Sequence, residues 1–193
     1  MYPDIINHFK RYASITEADG EAFFSIAKSR KVAKNKHLIR AGEHPVYMVL
    51  VLSGCLMTYH TAEDGTFNVL QFGVKYWWTG DLEGFTNKKP SGHSIRAMSD
   101  AEVLLIEYSQ FEALCEERII FERLFRKIFQ NSLITHSKRI IRNLSMPAME
   151  RYEWFQENFS GLELYVPQKY VASYLGITPE FLSKLRRTQA EKK

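Results

Sequence analysis

Apolar positions change their spacing three times along the chain. Over residues 4–30 the spacing is helical and falls in two pieces. Ile5, Ile6, Phe9 and Tyr12 share one face, and Phe23, Phe24 and Ile26 follow Thr16, with Glu17 and Asp19 in the first turn. From about Val32 the pattern is that of strands. Residues 46–52 (VYMVLVL) are almost continuously apolar, 55–60 alternate after the Ser53-Gly54 turn, and Asp64-Gly65 bends the chain into 67–72. Residues 94–98 and 102–108 make a further strand pair around Ser99-Asp100. Short, closely spaced strands with turn residues between them predict an antiparallel β-barrel or jelly roll, not a parallel sheet.

Past Ser109 the helical period returns. Phe121, Leu124, Phe125, Ile128 and Phe129 form a dense stripe that Leu133, Ser137, Ile140 and Leu144 prolong. The stripe predicts one long helix from about residue 117 to 143, longer than most globular helices. It either lies across the barrel or runs past it to pair with a second copy, with Asn131 setting the register; the second is favoured. Ser145-Met146-Pro147 is the expected hinge. An amphipathic helix follows at 148–159 with Tyr152, Phe155 and Phe159 inward, then an extended stretch at 162–166.

Residues 168–187, QKYVASYLGITPEFLSKLRR, carry the sharpest local pattern. Val171, Ala172 and Leu175 make one short apolar face, and Gly176 supplies the positive φ that stops a helix. Thr178 is an N-cap, Pro179 sits where an N–H is dispensable, and Glu180 suits the first-turn dipole. Phe181, Leu182 and Leu185 continue a second helix, whose Ser183, Lys184, Arg186 and Arg187 stay polar. Small Ala172 permits a close crossing, with Ile177 as the plug between the helices. An ordinary αα-hairpin has the same outline, but the basic outer face favours a helix-turn-helix with its second helix in a DNA major groove.

Composition narrows the choices. With 45% apolar residues among 193, the chain can bury a substantial core, and it contains no apolar run long enough for a membrane span or secretory leader. The net charge of +4 is matched by residues 168–193 alone (Lys169, Lys184, Arg186, Arg187, Lys192 and Lys193 against Glu180 and Glu191), a basic pole on a neutral body. Cys55 and Cys115 are expected to be buried thiols, too few to ligate an iron–sulfur cluster. The six histidines are scattered without metal-ligand spacing, and no phosphate loop or Ser/His/Asp arrangement stands out. No metal, no cofactor and no enzymatic activity are expected.

Taken together, the helix pair, small barrel, long helix and C-terminal helix-turn-helix resemble the catabolite-activator/oxygen-regulator (Crp/Fnr) family. The local marks are HLIRAGE (37–43), VLSGCL (51–56), GDLEGF (80–85), SIRAMSDAEVLLI (94–106) and VPQKYVASYLGITPEFLSKLRR (166–187). The chain is similar to the family's short orphan branch. The resemblance implies an α+β fold in three parts: a cyclic-nucleotide-binding-like effector domain (1–116), a dimerisation helix (117–145) carrying Phe121, Leu124, Phe125 and Ile128, and a helix-turn-helix domain (146–193). It further implies a cytoplasmic bacterial regulator whose partners are double-stranded DNA, a second copy of the chain and an unknown small-molecule effector, with RNA polymerase admitted.

Carried over by position, Glu180 accepts from a cytosine amino group and Lys184 donates to guanine or phosphate. Thr178, Ser183 and Arg187, with Gln168 and Lys169, touch phosphates. Pro179 stands where the family often reads a base with arginine, and Phe181 where it often has a small polar residue; Phe181 either meets a thymine methyl or packs. The preferred operator therefore differs. No β-wing is expected after the second helix.

The effector pocket implied by the resemblance holds Gly80, Asp81, Leu82, Ser91 and Gly92. Cyclic-nucleotide binders place an arginine and a hydroxyl where Ser91 and Gly92 stand, and loss of that phosphate clamp argues that cyclic AMP is not the effector. Lys88, Lys89 and His93 are the nearby groups that remain. Trp77, Trp78 and Phe85 either line an aromatic pocket or fill a vestigial one. The rival reading is a barrel that binds a small molecule or a protein, with a degenerate DNA-binding tail.

Overall fold

A computed structural model describes residues 3–191. Helices α1 (Pro3–Phe9) and α2 (Glu17–Ile26) open the chain, and a reciprocal capping box between Thr16 and Asp19 starts the second. Helical structure ends sooner than the expected residue 30. Strand β1 (Ala27–Val32) begins at once, because residues 27–30 pair with 103–106 far down the chain, a pairing that no local pattern announces.

Seven more strands follow: β2 (His37–Ile39), β3 (Tyr47–Ser53), β4 (Leu56–Thr61), β5 (Phe67–Gly73), β6 (Trp78–Thr79), β7 (Ser94–Ala97) and β8 (Ala101–Glu107). Short helix α3 (Leu82–Asn87) lies between β6 and β7. Every pairing is antiparallel, in two four-stranded sheets ordered β1-β8-β3-β6 and β2-β7-β4-β5. The jelly-roll alternative therefore stands and the closed barrel does not, since among the described residues no strand pairing joins the two stacked sheets, which are linked by side-chain bonds such as Gln71 to the Trp78 carbonyl at 3.1 Å.

Three apolar cores bind four layers. Between the sheets lie Val49, Val51, Val103 and Leu105 from one, and Leu56, Ile95 and Ala97 from the other. The outer face of the first sheet (Met48, Leu50, Leu104, Ile106) carries the N-terminal helices, α4 (Tyr108–Glu117) and the start of α5 (Ile119–Ser145). The outer face of the second (Met57, Tyr59, Val69, Phe72) carries α6 (Ala148–Asn158), α7 (Gln168–Leu175) and α8 (Pro179–Ala190). Burial on both faces is why residues 46–52 read as nearly continuous apolar sequence.

Some boundaries differ from expectation. Tyr108 opens α4 and does not end a strand; Arg118 then breaks the helix at φ −133° and bonds Asp19 at 3.1 Å. The long helix runs from 119 to 145. Residues 162–164 form a 3-10 turn, not an extended stretch, because Gly161 reverses the chain at φ 77°. The second helix of the 168–187 motif continues through Ala190, and Lys192 and Lys193 of the basic pole lie outside the described residues.

Phe121, Leu124, Phe125 and Ile128 are all enclosed by the chain's own second core, so they cannot also face a second copy. The exposed part of the long helix lies beyond them, at Leu133, Ile134, Ile140, Ile141 and Leu144.

Gly54 shows how tightly the β3–β4 turn is set. It adopts φ 78°, and a Cβ there would sit 2.3 Å from the Asp100 carbonyl oxygen. Gly54→Ala is expected to destabilise the fold by about 2–4 kcal/mol in urea unfolding, through strain and a backbone clash together.

Candidate nucleic-acid interface and effector region

The helix pair α7–α8 is built as its residues dictate. Gly176, at φ 67°, ends α7, and the N–H of Ile177 reaches back to the Ala172 carbonyl at 3.0 Å. Thr178 caps α8 by accepting from the Phe181 N–H at 3.2 Å, with Pro179 and Glu180 in the first turn. Val171, Ala172, Leu175, Leu182 and Leu185 are buried, and Ile177 packs half-buried against them.

Thr178, Pro179, Glu180, Phe181, Ser183, Lys184 and Arg187 are all exposed along α8, with Gln168 and Lys169 exposed at the start of α7. The structure thus brings all nine candidate residues to one surface. Ser183 donates back to the Pro179 carbonyl at 3.0 Å, and Arg187 pairs with Glu191 at 3.2 Å. Lys169 leans over the Tyr170 ring at 5.1 Å. Phe181, 43% exposed, does not pack into the core.

A second set of residues positions this surface, and the sequence pattern missed it. Strand β5 is an edge of its sheet, and α7 covers that edge. The Ser173 hydroxyl donates to the Phe67 carbonyl at 2.6 Å and accepts from the Val69 N–H at 2.9 Å, standing in for a neighbouring strand. Arg139 of α5 donates to the Leu70 carbonyl, to Val69 at 2.7 Å and to Tyr174 at 3.2 Å, and lies 4.1 Å from the Tyr174 ring centre. Burial pulls its pKa below the usual arginine value, but a guanidinium stays charged at neutral pH. Arg151 adds a bond to the Leu175 carbonyl at 2.7 Å, so two cations occupy the negative end of α7. On β7, Arg96 donates to the Tyr170 hydroxyl at 2.6 Å. Arginines on helices ordinarily read as solvated, and the carbonyls they meet lie on distant segments; nothing local marks them.

At the implied effector pocket, Asp81 is buried and works as the cap of α3. It accepts from the Gly84 N–H at 2.9 Å, and His93 approaches its other oxygen at 3.9 Å. Burial opposes its ionisation, yet the Gly84 bond, Ser91, His93 and Gly92 together hold its pKa below the usual carboxylate value. Ser91 is buried and donates to the His93 carbonyl at 2.8 Å; Gly92 and Leu82 are exposed, and Gly80 is half-buried at φ 154°. Asp81 and Ser91 are thus engaged within the chain, while Gly80 and Leu82 line a cavity of about 180 Å³. Lys88 and Lys89 point to solvent. Phe85 stacks on Tyr108 at 5.5 Å, whereas Trp77 and Trp78 line a cavity of about 350 Å³.

Cys55 and Cys115 are buried free thiols, each pushed up to about 12, by burial alone for Cys55 and by burial with neighbouring glutamates for Cys115. Among the described residues no cluster of metal-ligating side chains occurs, and no helix is long and apolar enough to cross a membrane.

Residues 29–118 match the family model of the cyclic nucleotide-binding domain. No curated protein matches the sequence. Among solved structures, the chain is similar to FixK2 from Bradyrhizobium japonicum (17% identity, 86% of each chain covered, TM-score 0.74). It is also similar to the c-di-GMP-responsive global regulator CLP from Xanthomonas campestris (15% identity, 92% of this chain and 93% of that one, TM-score 0.72). The Thermus thermophilus catabolite activator protein shares the fold at 17% identity, over 93% of this chain and 85% of that one, with a TM-score of 0.58. At such identities the likeness is one of fold.

Arg139→Ala would leave three carbonyls without their shared donor. We expect a loss of about 2–4 kcal/mol in stability and faster hydrogen exchange at the Val69 amide. Arg139→Lys should restore only part of both, because one ammonium cannot match a planar fork.

Proposed function

We propose that the protein is a homodimeric, sequence-specific DNA-binding regulator of the Crp/Fnr type, controlled by an effector other than cyclic AMP. The observation that carries this reading is the capped helix α8, whose Glu180, Ser183, Lys184 and Arg187 share an exposed face above a buried apolar one. That is the arrangement a recognition helix needs: Glu180 to accept from cytosine, Lys184 to donate to guanine, and Thr178, Ser183, Arg187, Gln168 and Lys169 to hold phosphates.

Dimerisation is supported by α5. Leu133, Ile140 and Leu144 recur at near-heptad spacing with Ile134 and Ile141 beside them, all at least half exposed. Such a stripe is stable in water only when covered, and a twin helix is the occupant with matching length and periodicity. Two copies paired there would present two α8 helices to successive major grooves, about 34 Å apart.

The effector argument rests on the Asp81–Ser91 turn. Its carboxylate is already committed to α3, and no arginine stands beside it to meet a cyclic phosphate.

Fluorescence anisotropy on the protein's own upstream DNA, or on a site drawn from a random pool, tests the first claim. Lys184→Ala/Arg187→Ala should weaken binding at least a hundredfold. The salt dependence should become shallower by roughly one in log–log slope per phosphate contact removed. Equal affinity of the two proteins would hand the case to a binding module with a degenerate tail.

Calorimetric titration with cyclic AMP should show no micromolar binding. A saturable micromolar isotherm would reinstate the nucleotide site.

A further inference from the structure

A cavity of about 350 Å³ opens between α1, the turn joining β5 to β6, and the middle of α5. It does not include the Asp81–Ser91 turn. A smaller cavity of about 180 Å³ on that side shares Trp78, Ile128 and Ser132 with it, so the indole of Trp78 stands between the two.

Two of its lining residues hold buried nitrogens that find no partner among the described residues: Nδ1 of His8 and Nε1 of Trp78. Indole N–H is a donor only, and the Trp78 ring is itself packed against Phe9, Phe23 and Phe125. His8 is itself held neutral by burial and by Arg11, and its ring stacks on Tyr76 at 4.7 Å. Tyr76 adopts φ 68°, a left-handed conformation that side chains other than glycine avoid and that persists where surroundings enforce it. The N–H of Tyr76 donates to the Val51 carbonyl at 2.7 Å, the Lys75 ammonium lies 4.9 Å from its ring centre, and the residue lines the cavity.

Charge at the cavity has one sign. Arg11 and Lys75 line it, and no carboxylate does. Lys75 reaches Asp4 at 3.8 Å, whereas Arg11 has no ion-pair partner among the described residues. Aromatic walls and one guanidinium without an ion-pair partner among the described residues define a ligand class. It is planar, of one or two rings, and carries a single negative charge with acceptor oxygens.

We propose that this cavity binds a small aromatic carboxylate, its ring between Tyr76 and Trp78 and its carboxylate towards Arg11. The cavity reaches α5 at Asn131, Ser132 and Thr135, where the helix leaves the chain's own core and its exposed stripe begins. An occupant therefore couples α1 to the start of that stripe. The regulatory consequence rests on the regulator reading above; binding itself does not.

The test is calorimetry on the full chain with indole-3-acetate and phenylacetate, and with indole-3-acetamide as the uncharged comparison. At least one acid should bind saturably with a Kd below about 1 mM, and the amide about tenfold more weakly. Arg11→Ala, at an exposed position, should lose about tenfold for the acid and nothing for the amide. Trp78→Phe, which shrinks the aromatic wall, should also weaken the acid. No saturable binding of either acid, or equal acid binding by Arg11→Ala, overturns the proposal. DNA anisotropy with and without the acid separates the two readings. Acid binding in a chain that never binds DNA supports the site and sinks the regulator. DNA binding with no affinity for either acid does the reverse.

Discussion

One guanidinium holds the molecule's parts in register. Arg139 projects from the long helix, and its planar fork meets carbonyls on the β5 edge and at the end of α7 at once. Two acceptors belong to β5 and the third to α7, so neither element can shift against the long helix without breaking a charge-assisted bond in a partly buried site. Ser173 and Arg96 reinforce the same seam from either side. The position of the α7–α8 pair thus depends on the long helix and on the sheet together.

The layering makes that dependence stronger. The C-terminal helices have no core to themselves: Phe155, Phe159 and Tyr174 close directly over Phe72 of the second sheet. On the opposite side of the sandwich, α1, α4 and the first half of α5 close over the first sheet. The long helix belongs to both groups, with its early residues in one core and Arg139 at the edge of the other. One continuous helix therefore links the core beside α1 to the seam at α7.

Local chemistry was legible from sequence, and long-range docking was not. Gly176, Thr178 and Pro179 declare a helix end and a helix start within a few residues, and both stand where expected. The alternating and continuous apolar runs marked β3, β4, β5 and β8 to within about a residue. What failed depended on partners far along the chain. Residues 27–30 became strand because β8 was there to pair with them, and the sheets stayed open because register, not composition, decides closure. The stripe on α5 was correctly seen as one helix, but periodicity could not say that Phe121 to Ile128 would be spent within the chain. Asp81 was placed at the effector pocket by position; its bond to the Gly84 N–H, a helix cap, was not foreseen. His8 and Arg11 sit together at and just past the end of α1 while Trp78 lies far along the chain, so no spacing rule could have joined the indole to them.

The seam at β5 has a cost on the other side. A strand edge sealed by a serine from α7 and an arginine from α5 is sealed only while both helices stay in place. Any rearrangement that lifts α7 away exposes unpaired N–H and C=O groups on a flat, partly apolar strand, ready to template onto another chain. The conformer that frees the helix pair is thus also the one prone to self-association. Its lifetime in a crowded cell would be limited by what captures that edge first, which favours a protein that keeps the open state brief or immediately engaged.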